Sequence, residues 1–312
     1  MITVVLVVTG LLLAALGLFL LFLYTIRWYD LSINRFDPAF SMTKTVTRQF
    51  WRPVRSFVAE YVYCVANGFF LLAGGALRLS GRRSSIPSGA SAVKGAPLVV
   101  LIHGLMSTGA NMWVMKQRLR FRGIRNIAIY DYPSTRGSLE EKRDKLRDFI
   151  VAAHEATGAQ GVALIGHSMG GVIAHDYACE YGTERGGVVA LVTTGAPLRG
   201  SRLAALGLSS AGRALHPQNP YFTRTSSRRP QAPFFCIGAV YDELVIPYTN
   251  SSHPLADSFE VVDICGHAGL LYSSSSFALV MQALRAALPD EAGEETGPVP
   301  DRLSGEVESG KI

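Results

Sequence analysis

The chain opens on an apolar run, residues 2–26 (ITVVLVVTGLLLAALGLFLLFLYTI), that contains no charge. At about 1.5 Å of rise per helical residue, it is long enough to cross the hydrocarbon core of a bilayer. It therefore predicts a transmembrane helix. A cleaved signal peptide would carry a basic start and a small-x-small cleavage site, and neither is present. Arg27, Trp28 and Tyr29 follow as an interfacial anchor. A second uncharged run, residues 61–77 (YVYCVANGFFLLAGGAL), sits at the lower limit for spanning and is interrupted by Asn67, Gly68, Gly74 and Gly75. It predicts a second span or, failing that, a helix lying on the membrane or packed on the rest of the chain.

Residues 80–96 (SGRRSSIPSGASAVKGA) break every periodicity and read as a linker. Residues 289–312 are acidic, with Gly and Pro and almost no aliphatic content, and predict a disordered tail. Between them, short apolar runs alternate with helical patterns. Strands are expected at 98–102 (LVVLI), 127–130, 162–165, 188–192, 234–237 and 259–264. Helices are expected at 112–122, 139–156, 170–181 and 277–288, with Ser138 as the N-cap of the second. Strands this apolar, separated by helices, predict an α/β fold with a mainly parallel sheet covered on both faces. Residues 198–231 fall outside the alternation, where a substrate-covering insertion would sit. No internal repeat is visible.

Composition changes the picture in one respect. The 312 residues are 48% hydrophobic with a mean hydropathy of +0.22 and a formal net charge of +6. Residues 1–95 carry ten Lys/Arg against three Asp/Glu, and residues 290–312 carry two against seven. A basic flank beside apolar segments is a membrane-topology signal. Without interleaved aromatics it does not read as a nucleic-acid surface. Cys64, Cys179, Cys236 and Cys265 are too few and scattered for a disulfide framework and read as small buried hydrophobes. No Cys/His cluster has metal-ligand spacing.

The chemistry centres on Gly166-His167-Ser168-Met169-Gly170-Gly171. The G-x-S-x-G pattern alone is weak. With 31 glycines and 26 serines, chance supplies roughly 0.25 matches. Its setting, directly after one expected strand and opening a helix, is that of a nucleophile elbow. The serine Oγ is thrown outward there, beside the positive end of a helix. A serine hydroxyl needs a base, and in this arrangement acid and histidine follow the serine in that order. His267 follows the last strand directly, just before the closing helix. His216 and His253 lie in irregular segments and read as surface residues. Asp242, after the 234–237 strand, is the candidate acid. Its neighbour Glu243 is expected to point elsewhere, and Asp263 is expected within the last strand, facing a sheet surface. The oxyanion hole needs two backbone N–H donors. Met169, after the nucleophile, and Leu105, after the first strand, are the candidates. His103 is expected to shape that loop, and His167 to point away from the active centre.

Together, His103-Gly104 after the first strand, the 166–171 elbow, TGAPLRGS at 194–201, Asp242 before Val245-Ile246-Pro247, and Gly266-His267 resemble the α/β-hydrolase lipases. The likeness covers residues 97–288 and is similar to bacterial triacylglycerol lipases and deacylases of GPI-anchor type. It implies an acyl-enzyme mechanism with no cofactor. The membrane segments, the short insertion and the absence of an evident calcium ligand set depart from the secreted lipases. The expected activity is hydrolysis of a lipid or other apolar ester, such as a phospholipid or lysophospholipid. An acyltransferase with the same triad and an inactive membrane scaffold are the alternatives. The loop 27–57 carries Arg27, Arg35, Lys44, Arg48, Arg52 and Arg55 against Asp30 and Asp37, which places it in the cytoplasm. A returning second span then puts the catalytic domain outside the cytoplasm, and this two-helix hairpin with an extracytoplasmic domain is the expectation; without the return, the domain is cytoplasmic.

Overall fold

Along the first strand, Leu98, Val100 and Ile102 join one hydrophobic cluster while Val99 and Leu101 join another. Side chains alternate across a strand, so a strand buried on both faces has to be apolar at every position. That is why LVVLI is continuous, and the same logic gives the whole sheet. In the computed structural model, which describes residues 2–33, 46–80, 85–87, 92–184, 187–207 and 209–288, six parallel strands stand in the order β2-β1-β3-β4-β5-β6. They are β1 (Leu98–Ile102), β2 (Ile127–Tyr130), β3 (Val162–His167), β4 (Val188–Thr194), β5 (Phe234–Ala239) and β6 (Ser258–Val262). Centrally, Leu98 pairs with Val162 and Ile102 with Gly166, while β4 runs on the far side of β3 from Val188 to Thr194.

Helices cover both faces. α4 (Leu139–Thr157) and α5 (Met169–Tyr181) bury Leu146, Ile150, Ile173 and Ala174 against one. α3 (Trp113–Phe121), α8 (Gly269–Tyr272) and α9 (Ser274–Ala287) bury Leu119, Leu270, Val280 and Leu284 against the other. Ser138 caps α4 as expected, its Oγ accepting from the Glu141 N–H at 3.0 Å. The closing helix begins earlier than the expected residue 277, because Ser273 caps it through the Ser276 N–H. β6 ends before its expected limit. Asp263 therefore lies outside the sheet, half exposed and 3.7 Å from Arg52, which corrects its placement within the strand. Among its described residues the insertion holds a 3₁₀ turn at Arg202–Leu206 and two short helices, α6 (Ser210–Arg213) and α7 (Pro220–Thr225). The expected tail and residues 81–84 and 88–91 of the linker lie outside the described residues. In what remains of the linker, Ser85 pairs antiparallel with Ile129 and covers the free edge of β2.

Ahead of the sheet stand α1 (Ile2–Ile33) and α2 (Val46–Leu79), both longer than the charge-free runs that announced them. Thr3–Asp30 and Trp51–Leu79 are long and apolar enough to cross a membrane. The extra length of α2 has a cause in packing. Ser56, Glu60, Asn67, Gly74 and Arg78 fall on one helical face, and that face meets α1 and the sheet domain. Ser56 meets Tyr24, Glu60 meets the backbone of residues 266–269, and Asn67 meets Asn111 and Tyr272. Gly74 lies against Thr108, and Arg78 pairs with Asp131. The opposite stripe, Val58, Val62, Val65, Phe69 and Leu72, is exposed. α1 joins the same body at its C-terminal end: Arg27 donates to the Val240 carbonyl, stacks on Tyr248 and pairs with Asp30.

The core gives a direct test. Phe234 on β5 is wholly buried, whereas Phe121 at the end of α3 is 89% exposed. Phe234→Ala is expected to cost about 3–5 kcal/mol, and Phe121→Ala within about 0.5 kcal/mol of zero, read from thermal unfolding in detergent.

Candidate active site

Because all strands are parallel, the loops that follow them emerge along one edge of the sheet, and every candidate site residue lies there. Ser168 sits between β3 and α5 with φ +56° and ψ −131°. A non-glycine residue at positive φ costs on the order of 1–3 kcal/mol and persists only where its surroundings impose it. Here the imposing element is a turn so tight that a Cβ on Gly166 would stand 2.5 Å from the Gly171 α-carbon. The Ser168 N–H donates to the Thr194 carbonyl, which pins the elbow to β4.

Asp242 lies in the loop after β5 and is completely buried. Its Oδ1 accepts from the Leu244 and Val245 N–H groups at 2.9 and 2.7 Å. His267 stands between β6 and α8, also buried, with Nδ1 2.8 Å from Asp242 Oδ2 and 3.1 Å from Oδ1. Burial alone would lower the imidazole's pKa. The charge and hydrogen bond of Asp242, with a smaller contribution from Glu60, outweigh burial and raise it above 6.5.

Gly104 brings the loop after β1 directly against the nucleophile position, where a Cβ would stand 2.7 Å from Ser168 Cβ and 3.2 Å from its Oγ. Leu105 follows it, and Met169 is the first residue of α5. The two candidate oxyanion donors thus flank Ser168 from neighbouring strands. His103 shapes this loop as expected: its Nδ1 lies 2.9 Å from the Gly104 carbonyl and its Nε2 3.0 Å from Asp131 Oδ1. Asp131 also accepts from Arg78 and from the Gly109 N–H at 2.9 Å. Burial works against its charge, yet hydrogen bonds from His103 and Arg78 hold its carboxyl well below the usual range.

Three sequence expectations need correction. His167 does not point away: its ring centroid is 4.8 Å from that of His267. Burial and the neighbouring His267 keep His167 far below the usual histidine pKa, so it stays neutral beside the candidate base. His253 is no surface residue. It is buried between Phe234 and His175, with Nε2 3.3 Å from the Thr225 carbonyl. Glu243 turns inward rather than elsewhere, and its Oε2 accepts from the His267 N–H at 3.1 Å. Burial, then the charges of Glu60 and Asp242, push its pKa well above the carboxylate range. His216 is half-buried, and its Nδ1 accepts from the Gln218 N–H at 3.3 Å. Among the described residues, no cluster of His, Cys, Asp or Glu is arranged to hold a metal ion.

Two cavities adjoin this edge. One of about 520 Å³ lies between the Leu105–Met106 loop and the insertion, lined by Met106, Thr135, Arg136, Ser209, Ser210 and Arg213. Another of about 260 Å³ joins Ile26 and Tyr29 of α1 to Leu203 and Leu206 of the insertion.

Comparison with known proteins agrees with this fold. No curated protein matches the sequence. Among solved structures, the chain is similar to Aspergillus fumigatus lipase B, with TM-score 0.54 and 18% identity over 72% of this chain and 59% of that one. It is also similar to a Bacillus licheniformis lipase: the mature form matches with TM-score 0.50 and 16% identity over 64% and 96% of the two chains. At such identities the likeness is one of fold. The family model described as "Alpha/beta hydrolase family" matches residues 99–292. A parallel sheet whose edge carries a strained serine, a buried acid and a histidine, matched by that model over most of the chain, makes this protein a member of the alpha/beta hydrolase family.

Proposed function

We propose that the protein is a serine carboxylic ester hydrolase acting on membrane-derived lipids. The observation that carries this reading is the buried Asp242–His267 pair, 2.8 Å apart, on the same edge of the sheet as the strained Ser168. In the proposed mechanism, Ser168 Oγ attacks the acyl carbonyl while His267 takes its proton, and Asp242 fixes the tautomer and orientation of His267. The N–H groups of Leu105 and Met169 receive the oxyanion, the second assisted by the N-terminus of α5. His267 then protonates the leaving alcohol. Water, activated by the same imidazole, attacks the acyl-enzyme and releases the acid.

Two features support a lipid substrate with an anionic head group, such as a phospholipid or lysophospholipid. Arg136 and Arg213 line the larger cavity, at the loop that carries Leu105 and Met106. The smaller cavity joins Leu203 and Leu206 to Ile26 and Tyr29 of α1, with the Asp30–Arg202 pair in its lining, so an acyl chain has apolar side chains of both the membrane helix and the insertion to lie against. The apolar exterior of α1 and the outward stripe of α2 support anchoring in a bilayer. The packing of α2 along the catalytic domain favours a single span by α1 over the two-span hairpin. Arg27 and Asp30 tie the domain to the C-terminal end of α1, the end followed by the basic loop, and this supports a domain on the cytoplasmic face. Alkaline phosphatase and fluorescent-protein fusions after residue 288 test this: fluorescence without phosphatase activity is expected, and the reverse would restore the hairpin.

Hydrolysis of p-nitrophenyl esters tests the triad. Ser168→Ala and His267→Ala are each expected to lower kcat by at least about 10⁴-fold, and Asp242→Asn by about 10³- to 10⁴-fold. Asp263→Asn is expected to stay within about threefold of the parent, because its carboxylate faces solvent and Arg52. A Ser168→Ala protein keeping a hundredth of the activity would place the nucleophile elsewhere.

The pH profile follows from the sign of the His267 shift. Only neutral imidazole can accept the serine proton, so the rate falls as pH drops through a pKa raised above 6.5. An acid limb with its midpoint above that value is expected in kcat/KM. A midpoint below it would mean that the pair does not act as assigned.

A further inference from the structure

One side chain that holds the His267 loop comes from outside the catalytic domain. Glu60, on α2, is wholly buried. Its Oε2 accepts from the N–H groups of Gly266 and Gly269 at 2.8 and 3.0 Å, and its Oε1 from the Ala268 N–H at 2.5 Å. Cys64, one turn along α2, points its thiol at the same Oε1. A buried carboxylate is tolerated when donors surround it, and here three of them belong to one four-residue loop. That loop cannot shift without leaving the charge unpaired. The Cys-Gly-His sequence fits the same constraint. A Cβ on Gly266 would meet Glu243 Oε2, and it would stand 2.9 Å from both Glu60 Cδ and the Tyr24 hydroxyl.

We propose that Glu60 is a positioning residue for catalysis: it fixes the backbone of residues 266–269 and thereby the imidazole of His267. The helix pair is then part of the catalytic apparatus as well as a tether. The proposal rests on the reading of Ser168, His267 and Asp242 as the triad. The groups facing His267 are Asp242 at Nδ1, Glu243 at its backbone N–H, and the His167 ring; Glu60 and the Tyr24 hydroxyl stand behind its loop at Gly266. Removing the Glu60 charge withdraws one of the influences that raise the His267 pKa, so the acid limb moves to lower pH as well as the rate falling.

The test uses full-length protein in detergent with a short soluble ester, and thermal unfolding in parallel. Glu60→Gln keeps the shape and one acceptor, and is expected to lower kcat about tenfold with the acid limb displaced downward. Glu60→Ala is expected to lower kcat about a hundredfold, with KM within about threefold. Asn67→Ala is the control, since it removes a different α2 contact, to Asn111 and Tyr272. It is expected to lower the Tm but leave kcat within about twofold. Parental kcat and pH profile in folded Glu60→Gln would overturn the proposal, as would an equal kcat loss in Asn67→Ala. Failure of both Glu60 variants to fold would make the residue structural only and would overturn it too. A failure of the triad reading itself would show separately, as hydrolysis that survives Ser168→Ala.

Discussion

Asp242 is a carboxylate with no access to water, and the constraint it imposes organises this end of the molecule. A buried charge has to be met by donors, and three are supplied: the N–H groups of Leu244 and Val245 from its own loop, and the His267 ring from the next one. Meeting the charge closes the β5 loop on itself and draws the loop after β6 toward it. The parallel sheet makes the encounter possible, because every strand ends at the same edge. β3 delivers Ser168 there in a strained turn, and β1 delivers the Gly104 loop against it. A second buried carboxylate, Asp131, organises that side in a similar way through His103, Gly109 and Arg78.

The N-terminal helices extend this network instead of merely trailing from it. Arg27 of α1 reaches Val240, two residues before Asp242 in the same loop, and Asp30 reaches Arg202 in the insertion. Along α2, polar residues meet the domain while Val58, Val62, Val65, Phe69 and Leu72 face outward. On the proposed membrane reading, a helix with this division has two solvents, protein on one side and an apolar medium on the other. Its outward stripe and α1 would otherwise be apolar surface in water, a state that soluble monomers rarely sustain. The contacts that hold the helices to the enzyme thus run into the loops on which the proposed chemistry depends.

Much of the fold was legible in sequence for a physical reason. Strands buried on both faces read as uninterrupted apolar runs, and the elbow lies between one of them and a helix. Chain order then selected Asp242 and His267, which the structure brings into contact. The residues missed are those whose partners are remote. Glu60 binds a backbone more than 200 positions away, and no periodicity carries such a relation. Glu243 was misjudged because its environment is set by α2, and His253 because its burial depends on Phe234 and the short insertion helices. The bounds of α2 were too short for a related reason. A charge-free window stops at Glu60 and Arg78, whereas the helix continues through both because the domain satisfies them. The signal available was the spacing of Ser56, Glu60, Asn67, Gly74 and Arg78 on one face, legible as a docking stripe only if the helix is not assumed to be surrounded by lipid.

The central claim is that Ser168 is the activated nucleophile of this assembly. Mass-spectrometric mapping of the full-length protein after treatment with a fluorophosphonate tests it most directly, since that reagent phosphonylates an activated serine Oγ and leaves ordinary hydroxyls untouched. The account predicts a single adduct on the peptide containing residues 166–171, assigned to Ser168 and absent after His267→Ala. An unmodified Ser168, or an adduct on any other residue, would contradict it.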